Sequence, residues 1–187
     1  MTKKTKKNNI PLGYKLDEIT DNPSLESYNH FKNLIYKSPN LCISNYKNKK
    51  YKVHVSLHKT LEQLLKKNHH KIWYIHNDQE IVAFISMKLY MNTGNFLFIH
   101  KLCSSLSGLG SYLMKKAIEY ANTNKSRLNI TYMSLTTHNL DLVEYYNKFN
   151  PTEVWTINTP QSKAKNPKKV AYMIWQVDKN MPHYTYK

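Results

Sequence analysis

Two of the four glycines in this 187-residue chain stand close together, in Ser104-Ser105-Leu106-Ser107-Gly108-Leu109-Gly110-Ser111. The residues before them, Phe96–Cys103, are apolar and β-branched, and those after them recur at helical spacing. A turn from strand to helix presents backbone N–H groups that the helix leaves without internal acceptors, and the helix dipole adds partial positive charge there. Such an end holds a phosphate or pyrophosphate, and glycine lets the anion approach main chain that a Cβ would shield. The segment is too short for the Gly-x4-Gly-Lys-Ser/Thr nucleotide loop and has no lysine in the required place. It also lacks the third glycine and the parallel βαβ unit of the dinucleotide fingerprint. Taken alone, the two glycines favour an ordinary turn without a ligand. Their scarcity elsewhere and their position between strand and helix shift the balance toward an anion site.

Other side chains able to do chemistry are scattered. His100 lies on the strand leading into this turn, and an imidazole titrates near neutrality; packing on a sheet edge is the plainer account of it. Tyr145 and Tyr146 fall in a short amphipathic segment after Asn139, where Tyr146 shares the apolar side with Val143 and Asn139 is a natural helix cap. Cys42 and Cys103 both sit in apolar runs and read as small buried hydrophobes. Two such distant cysteines make neither a metal knuckle nor a disulfide framework. His69-His70 and the remaining histidines show no ligand spacing with cysteines or carboxylates, so no metal is expected.

The elements that must position these groups follow from periodicity. Tyr14–Ile19 suits a first strand. Asn22-Pro23-Ser24 is a helix start, followed by Leu25, Tyr28, Phe31, Leu34 and Ile35, and Ser38-Pro39 ends that helix. A lysine-rich connection alternates Tyr51, Val53, Val55 and Leu57, so part of it is extended. A second helix is expected over about His58 to Asn68. Ile72–Ile75, Ile81–Leu89 and Phe96–Cys103 then form a meander of antiparallel strands. After Gly110 a helix buries Leu113, Met114, Ala117, Ile118 and Ala121. Ile130–Leu135 is a strand, Leu140 to Phe149 a helix, and Val154–Ile157 and Val170–Val177 two closing strands around the basic loop Thr159–Lys169. The pattern predicts an α/β fold with one mixed sheet and helices on both faces. Residues 1–11 are expected to be a flexible basic tail and residues 12–187 a single domain.

Charge bounds the partners. The formal net charge is +16, with 28 Lys and Arg against 12 Asp and Glu, and Arg127 is the only arginine. The lysines are spread along the chain without a nucleic-acid motif, so diffuse solvated charge is expected and nucleic acid is not expected as the primary partner. No apolar run reaches the roughly 18 residues of a membrane span. The lysines at the start have no apolar stretch behind them and are no signal peptide. A cytoplasmic protein, a monomer or homodimer without membrane attachment, is therefore expected.

Taken together, the loop, its helix and the later Asn and Tyr resemble the GNAT acetyltransferase family. That family carries Arg/Gln-x-x-Gly-x-Gly/Ala between its fourth strand and third helix, and Ser105, Gly108 and Gly110 stand at the three marked positions. Its later Asn-x6-Tyr-x3-Gly-Phe is matched by Asn139 and Tyr146, with Asn150 and Pro151 in place of Gly-Phe. Asn is the residue next best to Gly for a left-handed helix end. The resemblance implies a GNAT-type acyl-CoA N-acyltransferase fold and acetyl-CoA as cofactor. It implies that amides from Leu106 through Ser107, Gly108, Leu109, Gly110 and Ser111 hold the pyrophosphate. The backbone near Leu102, Cys103 and Ser104 would pair with the pantetheine arm, Ser105 would replace the usual Arg or Gln, and Asn139 would contact the arm. Tyr146 would be the general acid, and His100 a candidate base with His138 in reserve. Direct transfer of acetyl to a primary amine is implied, with no acylated Cys103. The alternative is a catalytically weak GNAT-like module that binds CoA or associates with nucleic acid. Lys47, Lys49, Lys50 and Lys52, with Lys163, Lys165, Lys168 and Lys169, flank the acceptor entry of the resembled family, so the expected acceptor is an amine near an anionic group.

Overall fold

The computed structural model describes residues 10–21, 23–38, 41, 43–46, 49–52, 70–91, 94–159 and 168–177. Its elements run β1 (Lys15–Thr20), α1 (Leu25–Tyr36), β2 (Ile43–Tyr46), β3 (Lys49–Lys52), β4 (His70–Asn77), β5 (Glu80–Tyr90), β6 (Asn95–Ser104), α2 (Leu109–Leu128), β7 (Ile130–Thr137), α3 (Asp141–Asn147), β8 (Glu153–Thr159) and β9 (Lys168–Gln176). Seven strands form one sheet in the order β1-β4-β5-β6-β7-β9-β8, and β2 and β3 pair separately. The sheet is mixed: β6 and β7 are parallel, whereas β1–β4, β7–β9 and β8–β9 are antiparallel. The expected mixed sheet is therefore present. The lysine-rich connection contributes the hairpin β2–β3, with Ile43 opposite Lys52. The helix expected over His58 to Asn68 lies outside the described residues.

Two compact units divide the chain. One comprises Met1–Met87, Lys101–Met114 and Thr185–Lys187; the other comprises Lys88–His100 and Lys115–Tyr184. In the first unit, α1 starts where Ser24 Oγ accepts the Ser27 N–H at 3.1 Å. This satisfies a first-turn donor. Its apolar side buries Phe31, Leu34 and Ile35 with Ile19 of β1, Ile72 and Tyr74 of β4, and Ile81 and Phe84 of β5. Ser38, buried just past the helix, donates its hydroxyl to the Leu34 carbonyl and accepts the Ile81 N–H at 2.7 Å. One small side chain thus closes the helix and ties its end to β5. Ile81–Met87 is buried throughout. A strand covered on both faces reads as a continuous apolar run rather than an alternation.

In the second unit, β6 and β7 pair from Asn95↔Ile130 to Ile99↔Leu135, with an irregularity that leaves Thr131 between the first two pairs. Thr131 is held there by its hydroxyl on the Asn95 carbonyl (3.0 Å) and by the Val177 N–H on its own carbonyl (3.0 Å). Trp175 of β9, fully buried, donates its indole N–H to the Phe149 carbonyl at 2.8 Å and so anchors the end of the chain segment carrying α3. β8 is an edge strand on which Val154, Trp155 and Ile157 remain exposed. In α2 the residues predicted to face inward, Leu113, Met114, Ala117, Ile118 and Ala121, are all fully buried.

Candidate active site

β6 ends at Ser104, and the chain turns through Ser105–Gly108 into α2. Two local features build this turn. Ser105 points both its N–H (2.8 Å) and its hydroxyl (3.0 Å) at the Val82 carbonyl of β5. Ser104 donates its hydroxyl to the Leu106 carbonyl and closes the turn on itself. Gly108 then takes φ +88°, a left-handed conformation, with nothing within 4 Å of where a Cβ would stand. That conformation costs an L-residue strain, which explains glycine here. Its carbonyl accepts the first helical bond, from Tyr112 at 2.9 Å. The main chain that precedes this bond belongs to the donor end of the helix.

The chemistry of this turn suits an anion. Ser105, Leu106, Ser107 and Gly108 are exposed, no acidic residue stands in the first turn of α2, and the 20 residues of that helix carry their dipole to this end. Ser105 spends its donors on Val82, so the amides that remain for an anion begin at Leu106. Gly110 is buried, inside the helix by one residue. Leu102 and Ser104 are half-buried on β6 and Cys103 is buried between them. Cys103 corrects an expectation: it is not a free thiol packed as a hydrophobe but is disulfide-bonded. The chain's other cysteine, Cys42, lies outside the described residues. A bonded sulfur has no thiolate to offer as a nucleophile.

His100, Asn139 and Tyr146 belong to the other unit. His100 is half-buried in an aromatic row on β5 and β6, 4.9 Å from the Phe98 ring and 6.2 Å from Tyr90. Tyr90 in turn stacks on Phe96 (4.9 Å), and Phe96 on Tyr132 (4.8 Å). His138 is exposed. Asn139 sits one residue outside the expected cap position, which Leu140 occupies. From there its side-chain oxygen accepts the Asp141 N–H at 3.1 Å, two residues ahead, as an Asx turn does. Thr137 locks this turn: its hydroxyl donates to the Asn139 carbonyl (3.2 Å) and accepts the Asn139 N–H (3.1 Å).

Tyr146 is 8% exposed at the last turn of α3, edge-on to Tyr145 at 5.1 Å. Burial, with the neighbouring Tyr145 second, pushes its phenol well above the ordinary tyrosine range. The group is thus held protonated at every physiological pH. The helix ends as the Asn at position 150 foretells, with Asn150 at φ +50°. Sequence reasoning missed Thr137 and the Val82 carbonyl, because each acts through contacts that no local pattern encodes. It also missed a group of possible metal ligands, Asp17, His30 and His76.

The profile of the Acetyltransferase (GNAT) family matches residues 41–150, and the chain belongs to that family. It is accordingly an acetyl-CoA-dependent N-acetyltransferase with the GNAT fold. Solved structures share the architecture at low identity. An N-acetyltransferase from Staphylococcus aureus Mu50 superposes with a TM-score of 0.57 at 10% identity, over 88% of this chain and 98% of that one. Arabidopsis thaliana NAA60, in complex with a bisubstrate analogue, gives 0.54 at 12%, over 90% and 100%. The spermidine/spermine N-acetyltransferase SpeG of Vibrio cholerae gives 0.52 at 13%, over 89% and 94%. No curated protein sequence matches the chain. Among the described residues, no helix is long and apolar enough to cross a membrane.

Proposed function

We propose that the chain moves acetyl directly from acetyl-CoA to a primary amine, with Tyr146 as the general acid. The observation that carries this reading is the placement of Tyr146 on α3, seven residues after Asn139 as in the family's pattern, where its phenol is neutral. Acetyl-CoA supplies the acetyl group as a thioester. When the amine nitrogen bonds to the carbonyl carbon and the C–S bond breaks, the departing thiolate needs a proton, and a neutral phenol on a helix is suited to give it. The amine's surplus proton leaves to a base, for which His100 is the candidate. Amides of Leu106–Ser111 would hold the pyrophosphate, and the backbone of Leu102–Ser104, past the residues registered with β7, would pair with the pantetheine arm. Ser105 serves this arrangement by fastening the turn rather than by touching the anion.

The acceptor reading rests on charge. With a net charge of +16, and with Lys49, Lys50 and Lys52 on β3 and Lys168 and Lys169 opening β9, the chain favours an amine that carries a carboxylate or phosphate nearby. Steady-state kinetics on a panel of acceptors tests both statements. Tyr146→Phe is expected to lower kcat about 10²–10⁴-fold at unchanged CoA affinity. A larger loss from Tyr145→Phe would place the acid on the wrong tyrosine. A preference for spermidine over every anionic amine would remove the acceptor reading and leave the acid standing.

A further inference from the structure

Asp17, His30 and His76 come from three elements, β1, α1 and β4, and are 13 and 46 residues apart in sequence, so no spacing motif announces them. The fold brings one ligand atom of each within 4.8 Å of the others. The packing explains how. Asp17 stands opposite Tyr74 in the β1–β4 ladder, and His76 is two residues further along β4 on the same face. Phe31 seats α1 against Tyr74 at 4.8 Å, and the neighbouring His30 thereby meets His76 edge-on, ring to ring, at 5.6 Å. The group lies at the rim of the core that α1 shares with β1 and β4. His76 is 1% exposed, while Asp17 and His30 face solvent and leave an entry path.

The hydrogen bonds of His76 make it a prepared ligand. Its Nδ1 lies 3.3 Å from the Asn77 carbonyl, which accepts only, so the tautomer that satisfies this contact carries its proton on Nδ1. Nε2 is hydrogen-bonded to Asp17 Oδ2, 2.8 Å away, so without metal the two atoms share a proton. A divalent cation that displaces this proton would take the lone pair of each atom. Orienting one imidazole nitrogen by a backbone carbonyl while the other binds metal is a recurring device in metal sites. The nearest lysine on the same strand, Lys15, is bound to Asp78 at 3.3 Å, and Glu18 is taken by Lys71 and Trp73, each at 3.0 Å.

We infer that Asp17, His30 and His76 form a divalent transition-metal site of the Zn²⁺ class that clamps α1 to the paired strands β1 and β4. Two imidazoles and one carboxylate suit Zn²⁺ and leave one tetrahedral position for water. Ligand atoms on tetrahedral Zn²⁺ stand roughly 3.3–3.5 Å apart, given bonds of about 2.0–2.2 Å. His76 and Asp17 need to part by about half an ångström and His30 to swing inward, which an exposed histidine does by a side-chain rotation. None of the three residues is among those assigned to acetyl transfer. The consequence of the site is that metal adds to the fixation of α1 by its apolar face and Ser38, and so raises the stability of the first unit.

The test uses the full chain, freed of metal with a chelator and titrated with Zn²⁺, with Mg²⁺ as the oxygen-seeking comparison and Co²⁺ as the spectroscopic probe. One Zn²⁺ per chain is expected to survive dialysis and to raise the thermal midpoint by several degrees, with no shift from Mg²⁺. Co²⁺ is expected to show the intense visible bands of a four-coordinate ion. His30→Ala and Asp17→Ala, both at exposed side chains and therefore expected to fold, should each weaken Zn²⁺ binding at least tenfold with an unchanged circular dichroism spectrum. Failure to retain Zn²⁺, or wild-type Zn²⁺ affinity in either folded variant, overturns the site.

Discussion

The parallel strands β6 and β7 each end in a turn that starts a helix, yet the two turns have opposite chemistry. After β6 the turn is exposed, it is fastened by Ser105 to a carbonyl of another strand, and the first turn of its 20-residue helix has no acid. After β7 the turn is closed on itself by Thr137 and Asn139, and its seven-residue helix starts with Asp141 and Glu144. A helix start that already carries carboxylates and already satisfies its amide has little left for an anion. Strand-to-helix topology alone therefore does not make a phosphate site. Where the orphan donors are directed decides it, and two side chains per turn set that direction.

Three substitutions sharpen this contrast, the largest effect first. Gly108→Asp puts a carboxylate into the open space beside the β6 turn, and Gly108→Asn, which shares the backbone strain at φ +88° without the charge, is its control. CoA affinity measured by calorimetry is expected to fall about 10- to 100-fold, the scale of roughly 1.4–2.7 kcal/mol for a like charge at an anion site. Unchanged affinity in the folded variant would show that the exposed turn holds no anion. Thr137→Val, in the other turn, keeps the shape but removes both hydrogen bonds to Asn139. Leaving that N–H without its acceptor is expected to cost about 1–3 kcal/mol of stability in a denaturant titration, with CoA affinity little changed. If affinity fell as far as in Gly108→Asp, the two turns would not be chemically distinct. Asp141→Asn is the mildest: losing one exposed first-turn charge should cost about 0.3–1 kcal/mol, and a gain in stability would mean the helix dipole is not being answered there.

Legibility in the sequence followed the range of the interaction. The α2 face, the buried run of β5 and the α1 start at Ser24 depend on neighbours a few residues away, and their period and caps stand in the chain itself. Asn150 belongs with them, since a left-handed helix end selects Asn or Gly locally. β2–β3 was largely invisible, because the alternation over Tyr51–Leu57 touches β3 only at its end, and Val53–Leu57 lie outside the described residues. The candidate site divides the same way. Gly108, Asn139 and Tyr146 stand at family spacings, whereas the Ser105–Val82 tie spans 23 residues and shows only once β5 lies beside the turn. The Asp17–His30–His76 group is farther from any pattern, since three elements must pack before its atoms meet.

The Ser105 fastening has a consequence in time as well as in place. Its N–H is bonded to the Val82 carbonyl near the start of β5, within the buried run Ile81–Met87, while the residues on the C-terminal side of Ser105 are open to water. Exchange of that single amide with deuterated solvent is therefore tied to opening of the sheet, not to flickering of the turn. A slow amide at Ser105 among fast ones at Leu106 and Ser107 would make the turn a loop with one rigid footing. Ligand arrival would then quiet the free part alone, and the cost of ordering would fall on three residues instead of the whole connection.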